Sequence, residues 1–347
     1  MNDRKILDDL VGVGIRGPIS GPWRLTVWSD PRDPGARKMY VFSEEHANKG
    51  SCPENRHFSA LASEILRKTR SVHVLVENFI HANDIAVPRS GRLSASGACS
   101  PVNIGILNNL RNCLEVMKIN SHHCPDGCSK RIHFIDPRVD MVCVLPDGKL
   151  FEAISEYANR KASEGLFDDA VLTIFESFVH PLSSLLPDRK NLRGRLVGVF
   201  EAFRSKMSAP QVDTFDKVWA ADITGGIVEI NAKYSKLHER YSSVPTPSVT
   251  KARSSTGPTP ASAATFSGDV EDIKECYKRY TNKFMDVWIL AHVFMIQNTG
   301  ANGMVMYLGS LHGLQIEKYM ALHGMRNTYH TESQHLDACL PLPNLPN

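Results

Sequence analysis

Along the chain, two spacings of apolar residues alternate. WRLTVWS (23–29), KMYVFS (38–43), VHVLVENF (72–79), RIHFID (131–136) and MVMYLGS (304–310) are short apolar runs rich in β-branched and aromatic residues, so they predict strands. Val139 to Val144 predicts a further strand or an extension of the one before it. Arg56 to Arg70 instead carries Phe58, Leu61, Ile65 and Leu66 at helical spacing, and Val102 to Ile119 reads as a helix with Pro101 suited to its first turn. Helical patterns follow over about 150–163, 166–179, 192–208 and 212–240, then over Asp269 to Thr299 with Asp269 as the cap, and over Leu311 to Met320. VHVLV is apolar almost without interruption, which suits a strand covered on both faces. The expected fold is α/β: a mainly parallel central sheet flanked by helices, with a helical insertion.

Ser242 to Gly268 breaks the pattern. It is rich in Ser, Thr, Pro, Ala and Gly and poor in large apolar side chains, so a flexible loop or linker is expected over 242–268. The expected organisation is a single α/β domain from 1–241 and 269–330, with the helical insertion at about 150–241 and a C-terminal tail at 331–347.

Composition narrows the class. The chain has 347 residues, of which 42% are hydrophobic and 22% charged, which excludes collagen, coiled coil and wholesale disorder. Its net charge of +3 gives no reason to expect a nucleic-acid or membrane-surface partner. Eight cysteines without a regular framework, and an N-terminus without a long apolar segment, lead to the expectation of buried reduced thiols and a soluble cytoplasmic protein.

In open α/β sheets, sites form at the carboxyl ends of strands. Here those ends carry Ser43-Glu44-Glu45-His46, Glu77, Asp136-Pro137-Arg138 and Gly309-Ser310-Leu311-His312. Two imidazoles and a carboxylate can hold a divalent cation, or a His–Glu pair can act as a general base, while an arginine orients an anionic group. Each residue also has a structural reading: loop charges for Glu44 and Glu45, a simple loop residue for His46, an ion pair for Arg138 and a helix-start residue for His312. Glu77, at the end of a strand expected to be buried, requires a partner in either reading. A second cluster, His122 to Cys128, resembles part of a zinc site, with an ordinary loop carrying free thiols, or a disulfide, as its alternatives. His292, inside an apolar helix, reads as a core or edge histidine.

The two strand-end motifs resemble the TraB/TIKI, ChaN-like and erythromycin-esterase superfamily: a strand followed by G-x-x-H, a strand ending in Glu, and a late G-x-x-H. The second motif stands complete as Gly309-Ser310-Leu311-His312, and the first stands as Ser43-Glu44-Glu45-His46 with Ser in place of Gly. FSEEHANKGSCP, VLVEN and HFIDPRVD are also similar to an uncharacterised family of large double-stranded DNA viruses, a pattern that takes in Cys52 and Arg138. The resemblance implies a hydrolase of ester- or peptidase-like type, metal-dependent in some members. His46, Glu77 and His312 would be the metal ligands of a divalent ion, Glu44 and Glu45 ligand or base, and Arg138 the substrate-orienting group. The substrate would be a small molecule or peptide. The alternative is a non-catalytic viral or regulatory protein that binds a host or virion protein, in the host cytoplasm or the virion.

Overall fold

The computed structural model describes residues 19–33, 37–45, 57–79, 106–119, 125–137, 195–242, 260–333 and 339–340. The chain divides into two compact units, one of Met1–Pro137, Phe203–Phe215 and Trp288–Asn347, the other of Arg138–Ala202 and Asp216–Val287.

The first unit is built on a six-stranded sheet. In chain order its strands are β2 (Arg24–Ser29), β3 (Lys38–Glu44), β4 (Val72–Phe79), β5 (Ile132–Asp136), β6 (Gly303–Gly309) and β7 (Arg326–Glu332). Their spatial order is β5-β4-β6-β3-β2-β7. The first four in that order are parallel, and β2 and β7 are antiparallel additions at one side. The fold is therefore α/β, with a mainly parallel sheet flanked by helices. Strand β6, far along the chain, lies between β3 and β4 with every residue buried, which explains its run of Met, Val, Tyr and Leu. A separate two-stranded pair joins β1 (Ile19–Ser20) to β8 (Cys339–Leu340).

Alternation along the strands supplies two apolar faces. Leu25, Val27, Tyr40, Phe42, Val74, Val76, Phe134, Val305 and Tyr307 form one core with helices α1 (Phe58–Lys68) and α2 (Ile106–Ile119). Phe58 is its centre, its ring 4.7 Å from Phe42 and 4.4 Å from Tyr307. Helix α1 presents Phe58, Leu61, Ala62, Ile65 and Leu66 to that core, the helical spacing visible in the sequence. Against the other face lies α7 (Ser310–Leu322), which starts where β6 ends. There Gly313 approaches β3 so closely that a Cβ on it would sit 2.4 Å from Ser43 Oγ.

The remaining helices are α3 (Arg195–Arg204), α4 (Ala209–Val218), α5 (Gly225–Ser242) and α6 (Pro260–Gln297). A π-helical turn, Trp219–Thr224, joins α4 to α5. In the second unit Phe200 packs edge-on against Trp219 and Phe284, Lys283 pairs with Asp222, and Gly226 leaves room for the Tyr280 ring.

Three expectations change. Helix α6 begins at Pro260, not at Asp269, so the last part of the Ser/Pro/Thr-rich segment is helical; Pro is well suited to a first turn, and the Ala-rich stretch after it favours helix. Residues 243–259 lie outside the described residues, as do the predicted elements over 139–144, 150–163 and 166–179. The expected tail from 331 begins inside β7, whose sequence RNTYHTE lacks the apolar alternation of a half-buried strand because it is a largely exposed edge. Cys113 and Cys128 are disulfide-bonded, correcting the expectation of reduced thiols at these two positions, while Cys276 is free. Among the described residues no helix is long and apolar enough to cross a membrane.

Candidate functional site

The carboxyl ends of β4, β6 and β3, adjacent in that order, bring three of the sequence-predicted residues to the segment Tyr307–Ser310. Glu44 ends β3 directly opposite Gly309 of β6 in the parallel register. Its carboxylate accepts a hydrogen bond from the Tyr307 hydroxyl at 2.8 Å, and its backbone carbonyl accepts one from Ser310 Oγ at 2.7 Å. Ser310 Oγ in turn accepts from Trp23 Nε1 at 2.8 Å. Burial and the nearby Glu44 carboxylate push the Tyr307 hydroxyl well above its usual titration range, so it remains a donor.

Glu77 reaches the same segment from β4. Its Oε2 accepts the backbone N–H of Gly309 at 2.9 Å. Gly309 is the N-cap of α7 and has no side chain to cap the helix. A carboxylate there faces the positive end of the helix dipole. The backbone carbonyl of Glu77 accepts from Arg111 Nε at 2.6 Å, and neighbouring Asn78 donates to Glu115 at 2.7 Å, so α2 holds this strand end from the core side.

His312 lies in the first turn of α7, three residues beyond Gly309, and is buried. Glu44 and Glu77 are also almost completely buried. Glu45, the residue after β3, is half-buried. The structure therefore places Glu44, Glu77 and His312 around one strand-to-helix junction. His46 and Arg138 lie outside the described residues, as does Cys52.

Carboxylate oxygen and imidazole nitrogen are the donor types that suit Zn²⁺ or Mn²⁺. Glu77 has already committed one oxygen to Gly309. Among the described residues no group of three His, Cys, Asp or Glu side chains is gathered to hold an ion; His46, the expected third donor, is outside them. The His122–Cys128 segment fits zinc poorly, because Cys128 is tied up in a disulfide and a disulfide sulfur is not the thiolate that zinc requires.

Tyr307, Trp23 and Gly313 did not stand out in the sequence as site residues. Tyr307 had one signal: it stands two positions before Gly309 in a strand, so its side chain shares a sheet face with the Glu44 paired to Gly309. Trp23 had none, because its position depends on the antiparallel hairpin of β2 and β3. The chain matches no protein-family model, no curated protein and no solved structure.

Proposed function

We propose that the protein is a hydrolase whose site lies at the carboxyl edge of β3, β4 and β6, using Glu77 and His312 with Glu44 beside them. The observation that supports this reading is the hydrogen bond from Gly309 to Glu77, which fixes a buried carboxylate at the start of the helix carrying His312. Buried carboxylates at a strand-to-helix junction are expensive to maintain without a role. The resemblance to the TraB/TIKI, ChaN-like and erythromycin-esterase superfamily points to the same residues, and adds His46, Glu45 and Arg138.

In this reading Glu77 and His312 take the roles of metal ligand or general base, and Arg138 holds the anionic part of an ester or peptide substrate. A divalent ion, when bound, lowers the pKa of a water and polarises the carbonyl. The protein's own part is to exclude bulk water and fix the carboxylate and imidazole in place.

A non-catalytic reading has its own support. Both carboxylates are already engaged inside the fold, Glu44 by Tyr307 and Glu77 by Gly309, as fasteners between strands and helix would be. Glu77→Gln separates the two, since the amide keeps an oxygen acceptor for Gly309 but loses the charge. A hydrolase loses at least about a hundredfold in turnover while its melting temperature stays nearly constant. A fastener shows the stability change without any turnover to lose in the wild type.

A further inference from the structure

At the far edge of the sheet from β7, three histidines from three elements meet. Nδ1 of His73 on β4 and Nε2 of His133 on β5 are 2.8 Å apart, and the two rings are nearly parallel with centroids 5.1 Å apart. The ring of His292, in the last third of α6, stands edge-on to His133 at 6.1 Å. His292 Nδ1 is 3.0 Å from the Trp288 carbonyl oxygen, to which it can only donate. The rings of Trp288 and Phe203 enclose His292, with centroids 5.2 and 4.7 Å away.

The groups facing the cluster all have one sign. Arg131, from the 3₁₀ turn Pro125–Arg131, acts electrostatically on His73. Lys118 of α2 acts on His133 and His292. Among the described residues no carboxylate pairs with any of the three rings. The hydrogen bond between His73 and His133 needs one ring nitrogen with a proton and the other with a lone pair, so it is lost when both rings are charged. Charging the cluster would place two or three cations with ring centroids 5.1 and 6.1 Å apart, beside a lysine and an arginine, in a partly buried seam. Burial and these neighbours hold His73 and His292 down at about 4, and His133 well below its ordinary range.

The strand that carries His133 is the one most easily released. Among the described residues β5 is an edge strand that pairs with β4 alone, and its ladder is irregular after Val76. Arg131, just before β5, donates to the carbonyls of Leu66 and Val72, and Lys118 donates to that of Ile132. These bonds are local to the same seam.

We propose that β5 is an acid-released edge of the sheet: protonation of the His73–His133–His292 cluster frees β5 and the preceding 3₁₀ turn from β4 and α6, while the β6-β3-β2-β7 part of the sheet stays formed. The device is independent of the hydrolase reading, because none of its residues belongs to the strand-end site.

Hydrogen–deuterium exchange of the full chain at pH 7.0 and pH 5.0, corrected for intrinsic exchange rates, tests it. The expected result is at least a tenfold loss of protection at pH 5.0 in peptides covering 125–137, which exchange at that pH at least tenfold faster than 303–309 and 38–44. Equal protection of 125–137 and 303–309 at pH 5.0, or no change in 125–137, overturns the proposal. The triple variant His73→Gln/His133→Gln/His292→Gln should abolish the difference between the two pH values; a difference that persists in a folded variant also overturns it. Should the variant fail to fold, imidazole proton resonances of the wild type decide. Three histidines that stay neutral down to pH 5 support the cluster, and three that titrate near 6.5 refute it.

Discussion

Gly313→Ala is the sharpest test of how α7 sits on the sheet. The added Cβ would lie 2.4 Å from Ser43 Oγ, 3.4 Å from Ser43 Cβ and 3.8 Å from Val41 Cγ1. The second and third are ordinary van der Waals distances, but the first forces the fully buried Ser43 hydroxyl to rotate into surroundings that are already packed. Overpacking of this kind costs about 1–3 kcal/mol. Alanine in place of glycine in a helix returns about 1 kcal/mol of propensity. The packing loss wins, and Gly313→Ala should destabilise by about 1 kcal/mol. In a Ser43→Gly background both close atoms are gone, so the same substitution should stabilise by up to about 1 kcal/mol. The sign therefore reverses, with a coupling of about 2 kcal/mol in a double-mutant cycle read by urea denaturation. Equal effects of Gly313→Ala in the two backgrounds would refute the close approach of α7 to β3. Ser43 Oγ is buried with no hydrogen-bond partner, so Ser43→Ala alone should be close to neutral or stabilising.

Other consequences are equally direct. Tyr307→Phe removes the buried hydroxyl that donates to Glu44 and should lower stability by about 1–3 kcal/mol, measured by thermal melting. Mass spectrometry after denaturation and alkylation without reductant should label Cys276 and leave Cys113 and Cys128 unlabelled; reduction should lower stability by about 2–4 kcal/mol. The fully buried His292 ring binds a proton at about 4 in the folded protein, against 6.5 for an ordinary histidine. The unfolded chain therefore takes up the proton first as pH falls. The associated stability is complete above pH 6.5 and is lost progressively down to pH 4, by about 3 kcal/mol in all. Denaturation of His292→Gln across that range should show a flatter pH dependence than the wild type.

Much of the sheet was legible because its strands are buried on both sides. VHVLVENF is β4 from end to end, and KMYVFS and MVMYLGS match β3 and β6 to within a residue. What the sequence could not reveal is that β6 lies between β3 and β4, since long-range pairing leaves no local pattern. That placement is why Glu44, Glu77 and His312 share a junction although they are far apart along the chain. The edge strand β7 escaped notice because it needs little apolar patterning. The start of α6 was hidden because a Ser/Thr/Ala/Pro composition suits both a linker and a helix N-terminus. His292 was read as a core or edge histidine and is buried, but its meeting with His73 and His133 depends on three elements that only the fold assembles.

The central claim is that the junction at the end of β6 performs hydrolysis. Its most direct test is turnover of a panel of p-nitrophenyl esters and peptides by the full chain, with Zn²⁺ or Mn²⁺ added, for wild type and His312→Ala side by side. The account predicts turnover by the wild type and a loss of at least about a hundredfold in His312→Ala at an unchanged melting temperature. Equal turnover by the two proteins, or none by the wild type under any of these conditions, would contradict it.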